Sequence, residues 1–172
     1  MLTTLRTQLR PPAPADAALL APILGDPITM AFWPQPLDAA AVAAWVQRST
    51  AAYAQHGLGR WLIIERATGA VIGDCGILPS TLDGAPVWDF GYIIHHPFWR
   101  QGYAGECARA YLAYAQALSA VDRVSANMPD DHVASWRAAE ALGFQYVRSF
   151  ANPRNRNILT RVYTLDWHVS GA

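Results

Sequence analysis

The sequence predicts a mixed α/β fold of the α+β type, a largely antiparallel sheet of about seven strands with flanking helices. Three observations carry this. Three apolar, β-branched runs follow one another, punctuated by Ala67-Thr68-Gly69 and Asp83-Gly84, as a series of hairpins requires. The period then switches, because Ala104, Cys107, Ala108, Tyr111, Leu112, Ala115 and Leu118 form a 3.6-residue stripe that suits a helix packed on a sheet. Two further strand-like runs close the chain after a helix stopped by Gly143.

Residues 5–10 alternate weakly and read as a first strand. Asp16 can cap a helix running to about Leu24, and Asp38 caps a longer one in which Val42, Trp45, Val46, Ser49 and Tyr53 recur at helical spacing. That helix ends near His56 and Gly57. Residues 60–66, 71–78 and 87–95 are the second, third and fourth strands, and residues 79–86 a loop. After the striped helix come a fifth strand at 123–127, a helix at 131–142, and strands at 144–150 and 159–167. The order is β-α-α-β-β-β-α-β-α-β-β.

At 172 residues, with no repeat or linker, a single domain over 1–172 is expected. The chain is 52% hydrophobic and 15% charged, enough to bury about two-thirds of its unfolded surface around one core. Thirteen basic residues balance thirteen acidic ones, which predicts no broad electrostatic grip on nucleic acid or an anionic membrane. No apolar run approaches the ~20 residues that cross a bilayer, and the start lacks a signal-peptide core, so a cytoplasmic protein is expected. Cys75 and Cys107 sit in apolar segments and read as reduced packing residues. Every basic residue is arginine, which removes Schiff-base chemistry, a pyridoxal phosphate anchor and a Walker lysine. Glu65, Glu106 and Glu140 are the only glutamates, so proton acceptors are few.

The densest signal spans residues 88–106, where a strand runs into Pro97 and a turn with Gly102 and Gly105 opens the striped helix. The first turn of a helix has unpaired N–H donors and a partial positive charge, and glycine lets a phosphate approach the backbone. Arg100 and the Gln101 side chain add donors, so the turn offers a pyrophosphate cradle without lysine. A glycine pair at a strand-to-helix turn also occurs for purely structural reasons.

The stretch resembles the acetyl-CoA signature of the GNAT acetyltransferase superfamily, with Gly102 and Ala104 in place and Trp99 where Gln or Arg is usual. Trp99, Gly102, Tyr103, Ala104 and Glu106 are similar to the branch containing the ribosomal-protein N-terminal acetyltransferases; Arg100, Gln101 and Cys107 depart from it. Leu9-Arg10-Pro11, Ile72-Gly73 and the tail from Ser135 to Gly143-Phe144 extend the likeness, with His132 in the place of the branch's Asn. The resemblance implies a fold whose fourth and fifth strands splay apart, and acetyl-CoA as co-substrate. Its pantetheine arm would pair with the backbone of Ile93, Ile94 and His95, and its pyrophosphate would sit on the amides of Gln101, Gly102, Tyr103, Ala104 and Gly105. The implied activity is N-acetyl transfer to a primary amine, a protein N-terminal α-amine or a small-molecule amine, by direct attack.

A direct attack needs a neutral amine, so a base matters more for an acceptor of pKa about 10.4 than for an α-amine near 7.7. Asp89, a carboxylate in an otherwise apolar strand, is the candidate base; the alternative is an Asp paired with an arginine on a neighbouring strand. Many family members use a Tyr as acid where Ala139 stands, so Ser135 is the candidate donor to the thiolate, against a Ser that merely caps or packs in a helix start. His132 is placed on the cofactor side or at the helix start, with a possible part as base. Adjacent histidines on a strand face opposite ways, so His95 and His96 are not expected to share an ion, and no metal is expected. Among Phe32, Trp33, Trp45, Trp61 and Trp88, some could line an acceptor pocket bordered by loop 79–86 and by residues 152–157. The rival readings are O-acetyl or longer-acyl transfer, a CoA-binding sensor without catalysis, and a dinucleotide-binding oxidoreductase, which the hairpins and the incomplete Gly-x-Gly-x-x-Gly disfavour. An exposed edge strand near the C-terminus leaves monomer and homodimer both open.

Overall fold

One continuous sheet is assembled mostly from hairpins. The computed structural model describes residues 1–167, so the last five residues of the domain expected over 1–172 lie outside the described residues. In chain order the elements are β1 (Leu2–Thr3), β2 (Thr7–Arg10), α1 (Ala17–Leu24), α2 (Ala39–His56), β3 (Arg60–Glu65), β4 (Val71–Leu82), β5 (Ala85–Ile94), α3 (Tyr103–Ala117), β6 (Arg123–Pro129), α4 (Val133–Ala141), β7 (Gln145–Asn152) and β8 (Ile158–Asp166). The eight strands lie in the order β1-β2-β3-β4-β5-β6-β8-β7, and every pair is antiparallel except β5 with β6. The strand expected at 5–10 begins only at Thr7, and ahead of it the Thr4 N–H bonds to Thr7 O at 2.9 Å and folds Leu2–Thr3 back as an eighth strand.

Local chemistry explains most boundaries. Asp38 accepts from the Ala41 amide at 2.8 Å, and Gly57 ends α2 in the left-handed region at φ 70°. Asp16 departs from its expected role: its carboxylate takes two 2.7 Å bonds from Arg10 instead of capping α1. The expected loop 79–86 is corrected to a hairpin, in which β4 and β5 extend to a two-residue turn of Asp83 (φ 49°) and Gly84 (φ 81°). Pro79 and Pro86 survive in this ribbon because it projects beyond β3 and β6. The missing N–H of each falls at a non-bonded position of the ladder, facing a free edge.

Two apolar layers flank the sheet. Leu9, Trp61, Ile63, Ile72, Cys75, Ile77, Phe90 and Ile94 pack against Cys107, Ala108, Tyr111 and Ala115 of α3. On the other face Leu62 and Ile93 meet Leu20, Ile23 and Leu24 of α1 and Val42, Trp45 and Val46 of α2. Both cysteines are free and buried, and burial pushes the Cys107 thiol up to about 11, which suits inert packing. Alternation along β5 therefore turns Asp89, Gly91 and Ile93 toward α1 and α2, and Phe90, Tyr92 and Ile94 toward α3. β7 forms one sheet edge, while the last strand lies inside, between β6 and β7. Among the described residues, no helix is long and apolar enough to cross a membrane.

Candidate active site

The parallel strands β5 and β6 touch at a single register pair, Asp89 with Ser125. Beyond it β5 continues to Ile94 bonded only to β4, and β6 continues to Pro129 bonded only to β8, so a wedge opens in the sheet. A cavity of about 590 Å³ fills it, lined from one face by Asp89 and Arg60 and from the other by Tyr92, Ser135, His132 and Ala139. The sheet is thus perforated.

Which backbone groups face the wedge follows from register. His95 N–H donates to Ile72 O at 2.8 Å, and an antiparallel ladder alternates, so the Ile93 amide also turns to β4 while those of Tyr92 and Ile94 turn outward. Of Ile93, Ile94 and His95, only Ile94 offers a wedge-facing amide, and Tyr92 joins it. The Ile94 carbonyl is already taken by the Trp99 indole N–H at 2.6 Å, which ties the following turn to the strand end.

At the start of α3 the amides of Gln101, Gly102, Tyr103, Ala104 and Gly105 donate to no acceptor among the described residues, the first bond of the helix being Glu106 N–H to Gly102 O at 3.1 Å. Gly102 sits at φ 83°, and a Cβ there would come within 3.4 Å of Arg6 Nη2. Arg6, missed in the sequence, is held here by Glu106, which accepts from the Arg6 amide and Nε, each at 2.8 Å, and from Thr4 Oγ1 at 2.5 Å. Burial works against the Glu106 charge, but these bonds outweigh it and hold the carboxyl below its usual range. The Arg6 guanidinium also lies 4.3 Å from the centre of the Tyr103 ring, whose hydroxyl donates to Glu65 at 2.5 Å, so Tyr103 brings only its amide to the helix start. Gln101 departs from expectation: its side-chain amide donates to Pro97 O at 3.0 Å, inside the turn, instead of standing free as a donor. Arg100 is exposed in a left-handed conformation at φ 59°, and Ala104 packs against the core.

On the α1–α2 face, Asp89 accepts from Asn127 Nδ2 at 2.9 Å. Burial pushes its carboxyl up to about 6; the Asn127 bond and the Arg60 charge resist but do not cancel that rise. The alternative, an Asp bonded to a neighbouring arginine, belongs to another residue: Arg60 binds Asp74 through Nη2–Oδ1 at 2.5 Å and Nε–Oδ2 at 3.0 Å. Trp45 Nε1 donates to the same Asp74 at 2.6 Å, closing a buried network. Gly91 makes room for Arg60, whose Nη1 lies 2.6 Å from where a Cβ would be.

On the opposite face, Ser135 and Tyr92 interact through their hydroxyls, and burial raises the Tyr92 phenol. His132 precedes α4, its ring stacked on Phe32 at 3.7 Å, and burial lowers its pKa. Phe32 and Trp33 line the cavity, whereas Trp45 lies in the buried network, Trp61 is buried in the core and Trp88 packs on His56. The ribbon 80–84 and residues 152–155 flank the mouth as expected, joined by the Arg154 Nη1 bond to Thr81 O at 3.1 Å, while Asn155 Nδ2 holds Phe32 O at 2.9 Å. The rule that separates adjacent histidines fails at this strand end. β5 stops at Ile94, His95 opens a short 3-10 turn, and ligand atoms of His95, His96 and Asp26 all lie within 4.8 Å of one another.

Residues 6–145 match the family model described as an acetyltransferase (GNAT) domain, and the chain belongs to that family. The Bacillus subtilis protein YkkB is 30% identical over 149 residues, 86% of this chain and 87% of its own. A Bordetella pertussis structure described as a GNAT-family acetyltransferase superposes with a TM-score of 0.84 at 17% identity, covering 95% of this chain and 97% of that one. The acetyltransferase yncA of Salmonella typhimurium, solved with acetyl-CoA, gives a TM-score of 0.70 at 18% identity over 97% of each chain. At these identities the two structures speak to the fold alone.

Proposed function

We propose that the chain is an N-acetyltransferase that moves the acetyl group of acetyl-CoA to a primary amine inside the wedge. The observation that carries this is the conjunction of unengaged amides from Gln101 to Gly105 with a cavity that crosses the sheet beside Asp89. Those amides, with Arg6, Arg100 and Arg109 around them, the last with Nη1 3.4 Å from where a Cβ on Gly105 would be, would hold the diphosphate, and the outward amides of Tyr92 and Ile94 would pair with the pantetheine arm. His132 would border the same arm. The co-substrate supplies an activated thioester; everything else falls to side chains of this chain.

Asp89 takes the proton of the attacking amine, directly or through one water, and a carboxylate titrating near 6 is mostly ionised at neutral pH yet basic enough to serve. The nitrogen–carbonyl bond forms as the carbon–sulfur bond breaks, and the Ser135 hydroxyl, beside Tyr92, donates a hydrogen bond to the departing thiolate, which leaves as such or takes its proton from water. A wedge-facing amide of β5 stabilises the charge that builds on the carbonyl oxygen. Asp89 and Ser135 sit on opposite sides of the perforation, so removal of the amine proton and stabilisation of the leaving thiolate are spatially separate. The Trp99 to Glu106 likeness to the ribosomal-protein branch makes an N-terminal α-amine the first acceptor to try and a small-molecule amine the second.

The test is calorimetric titration with acetyl-CoA, followed by CoA-thiol release over a panel of peptide α-amines, lysine side chains and small amines. Release with at least one amine is expected. Binding without release on every acceptor would instead identify a CoA sensor, and no binding at all would remove the cofactor assignment.

A further inference from the structure

We propose that Asp26, His95 and His96 form a binding site for a divalent transition ion of the zinc class, which clasps the loop after α1 to the end of β5. Two imidazoles and one carboxylate are a donor set suited to such ions. Their ligand atoms already lie within 4.8 Å of one another. A tetrahedral ion with bonds of about 2.0–2.2 Å sets its donors roughly 3.3–3.6 Å apart. His96 Nδ1 and Asp26 Oδ2, now hydrogen-bonded at 2.8 Å, need only part by less than about 1 Å, and the remaining separations close by side-chain rotation.

The scaffold around the three is fixed by other bonds. The Thr29 amide and hydroxyl both donate to Asp26 Oδ2, at 2.7 and 2.5 Å, which orients the carboxylate. The His96 amide donates to Thr29 Oγ1 at 3.0 Å and fixes the approach of the two segments. The His95 and His96 rings stand at 88° with centroids 5.2 Å apart. All three side chains are half-buried, so an ion has access from solvent. None of them lines the cavity, which assigns the ion a clasp's role and leaves the acyl chemistry to other residues. The clasped loop carries Phe32 and Trp33 in the cavity wall. With three protein ligands, water completes the coordination.

The experiment uses the full chain, stripped with a chelator and dialysed, then titrated with Co²⁺ by visible absorption and with Zn²⁺ by calorimetry. One equivalent of Co²⁺ should give ligand-field bands that Zn²⁺ abolishes. Zinc at a hundredfold excess over Kd should raise the Tm by about 5–11 °C. His95→Gln and His96→Gln should each weaken Zn²⁺ at least about tenfold without changing the Tm of the metal-free protein by more than a few degrees. Asp26→Asn should do the same, and the histidine variants carry the test if the Thr29 turn does not tolerate it. No saturable binding of either ion overturns the proposal. So does binding of unchanged affinity in both histidine variants, since the ion would then sit elsewhere.

Discussion

Replacing Asp89 by Asn should make the protein more stable and less active at the same time, and the two effects should share one pH dependence. Burial raises the carboxyl from 3.8 to about 6 in the folded chain. The sign follows directly: a group whose folded pKa is raised favours the fold in its protonated form, and that contribution is lost as pH climbs from about 4 through about 6. The interval corresponds to about 3 kcal/mol, and water reaching the cavity wall reduces it to about 1–2 kcal/mol. Asn keeps the shape, carries no charge and can still accept from Asn127. At pH 8 the variant should therefore melt about 2–8 °C higher than the parent, and at pH 4 the difference should vanish. Scanning calorimetry at the two pH values measures this. In parallel, the parent's kcat/KM, expressed per neutral amine, should fall about tenfold between pH 7.4 and pH 5 as the base protonates, while the variant should lose about 10²–10⁴ in rate at neutral pH and keep no such limb. Its loss should be greater for lysine-type amines than for α-amines, because more of the latter is already neutral. A variant that is less stable at pH 8, or equally impaired on both amines, would refute the assignment of Asp89 as a buried base.

Gly102→Glu should abolish acetyl-CoA binding, because the change strains φ 83° and sets a carboxylate beside the free amides; calorimetry that shows retained affinity would discard the cradle. Arg60→Ala should cost about 3–5 kcal/mol in urea unfolding, since it strands the buried Asp74 carboxylate, and a loss below about 1 kcal/mol would mean that Trp45 alone satisfies it. Ser135→Ala should slow turnover about tenfold or more and leave the acetyl-CoA Kd within about twofold; an unaltered rate removes it from the mechanism.

The sheet, its element order and the helix start were legible because they rest on local signals. Hydrophobic period, the Asp38 cap, Gly57 and the Asp83-Gly84 turn each act within a few residues. Prolines misled where topology decided: Pro79 looked like a strand end, and only the absence of a neighbouring strand at that position makes it harmless. Asp16 misled for a related reason, since the charge of Arg10 competes with the helix amides and wins. Asp89 stood out as a carboxylate in an apolar strand and Ser135 was named through the resemblance; both line the cavity, and that they lie on opposite walls follows only from the pleat of β5. Arg6, Arg60 with Asp74, Asn127 and Tyr92 were not legible, as they meet their partners through long-range register that no short window contains. The expected separation of His95 from His96 failed because the pleat rule holds only while the strand lasts, and it ends at Ile94.

The bonds that join the β4–β5 ribbon, the β7–β8 connection and the loop holding Phe32 are few and peripheral: Arg154 to Thr81, Asn155 to Phe32, and Arg148 to Asp83. None of them is part of the ladder that aligns Asp89 or opens the perforation. Selectivity for the incoming molecule can accordingly be rewritten by exchanging a handful of outer residues, while the machinery beneath keeps its alignment. Such an entrance is evolvable, and it marks where a designer would begin to change what the cavity admits.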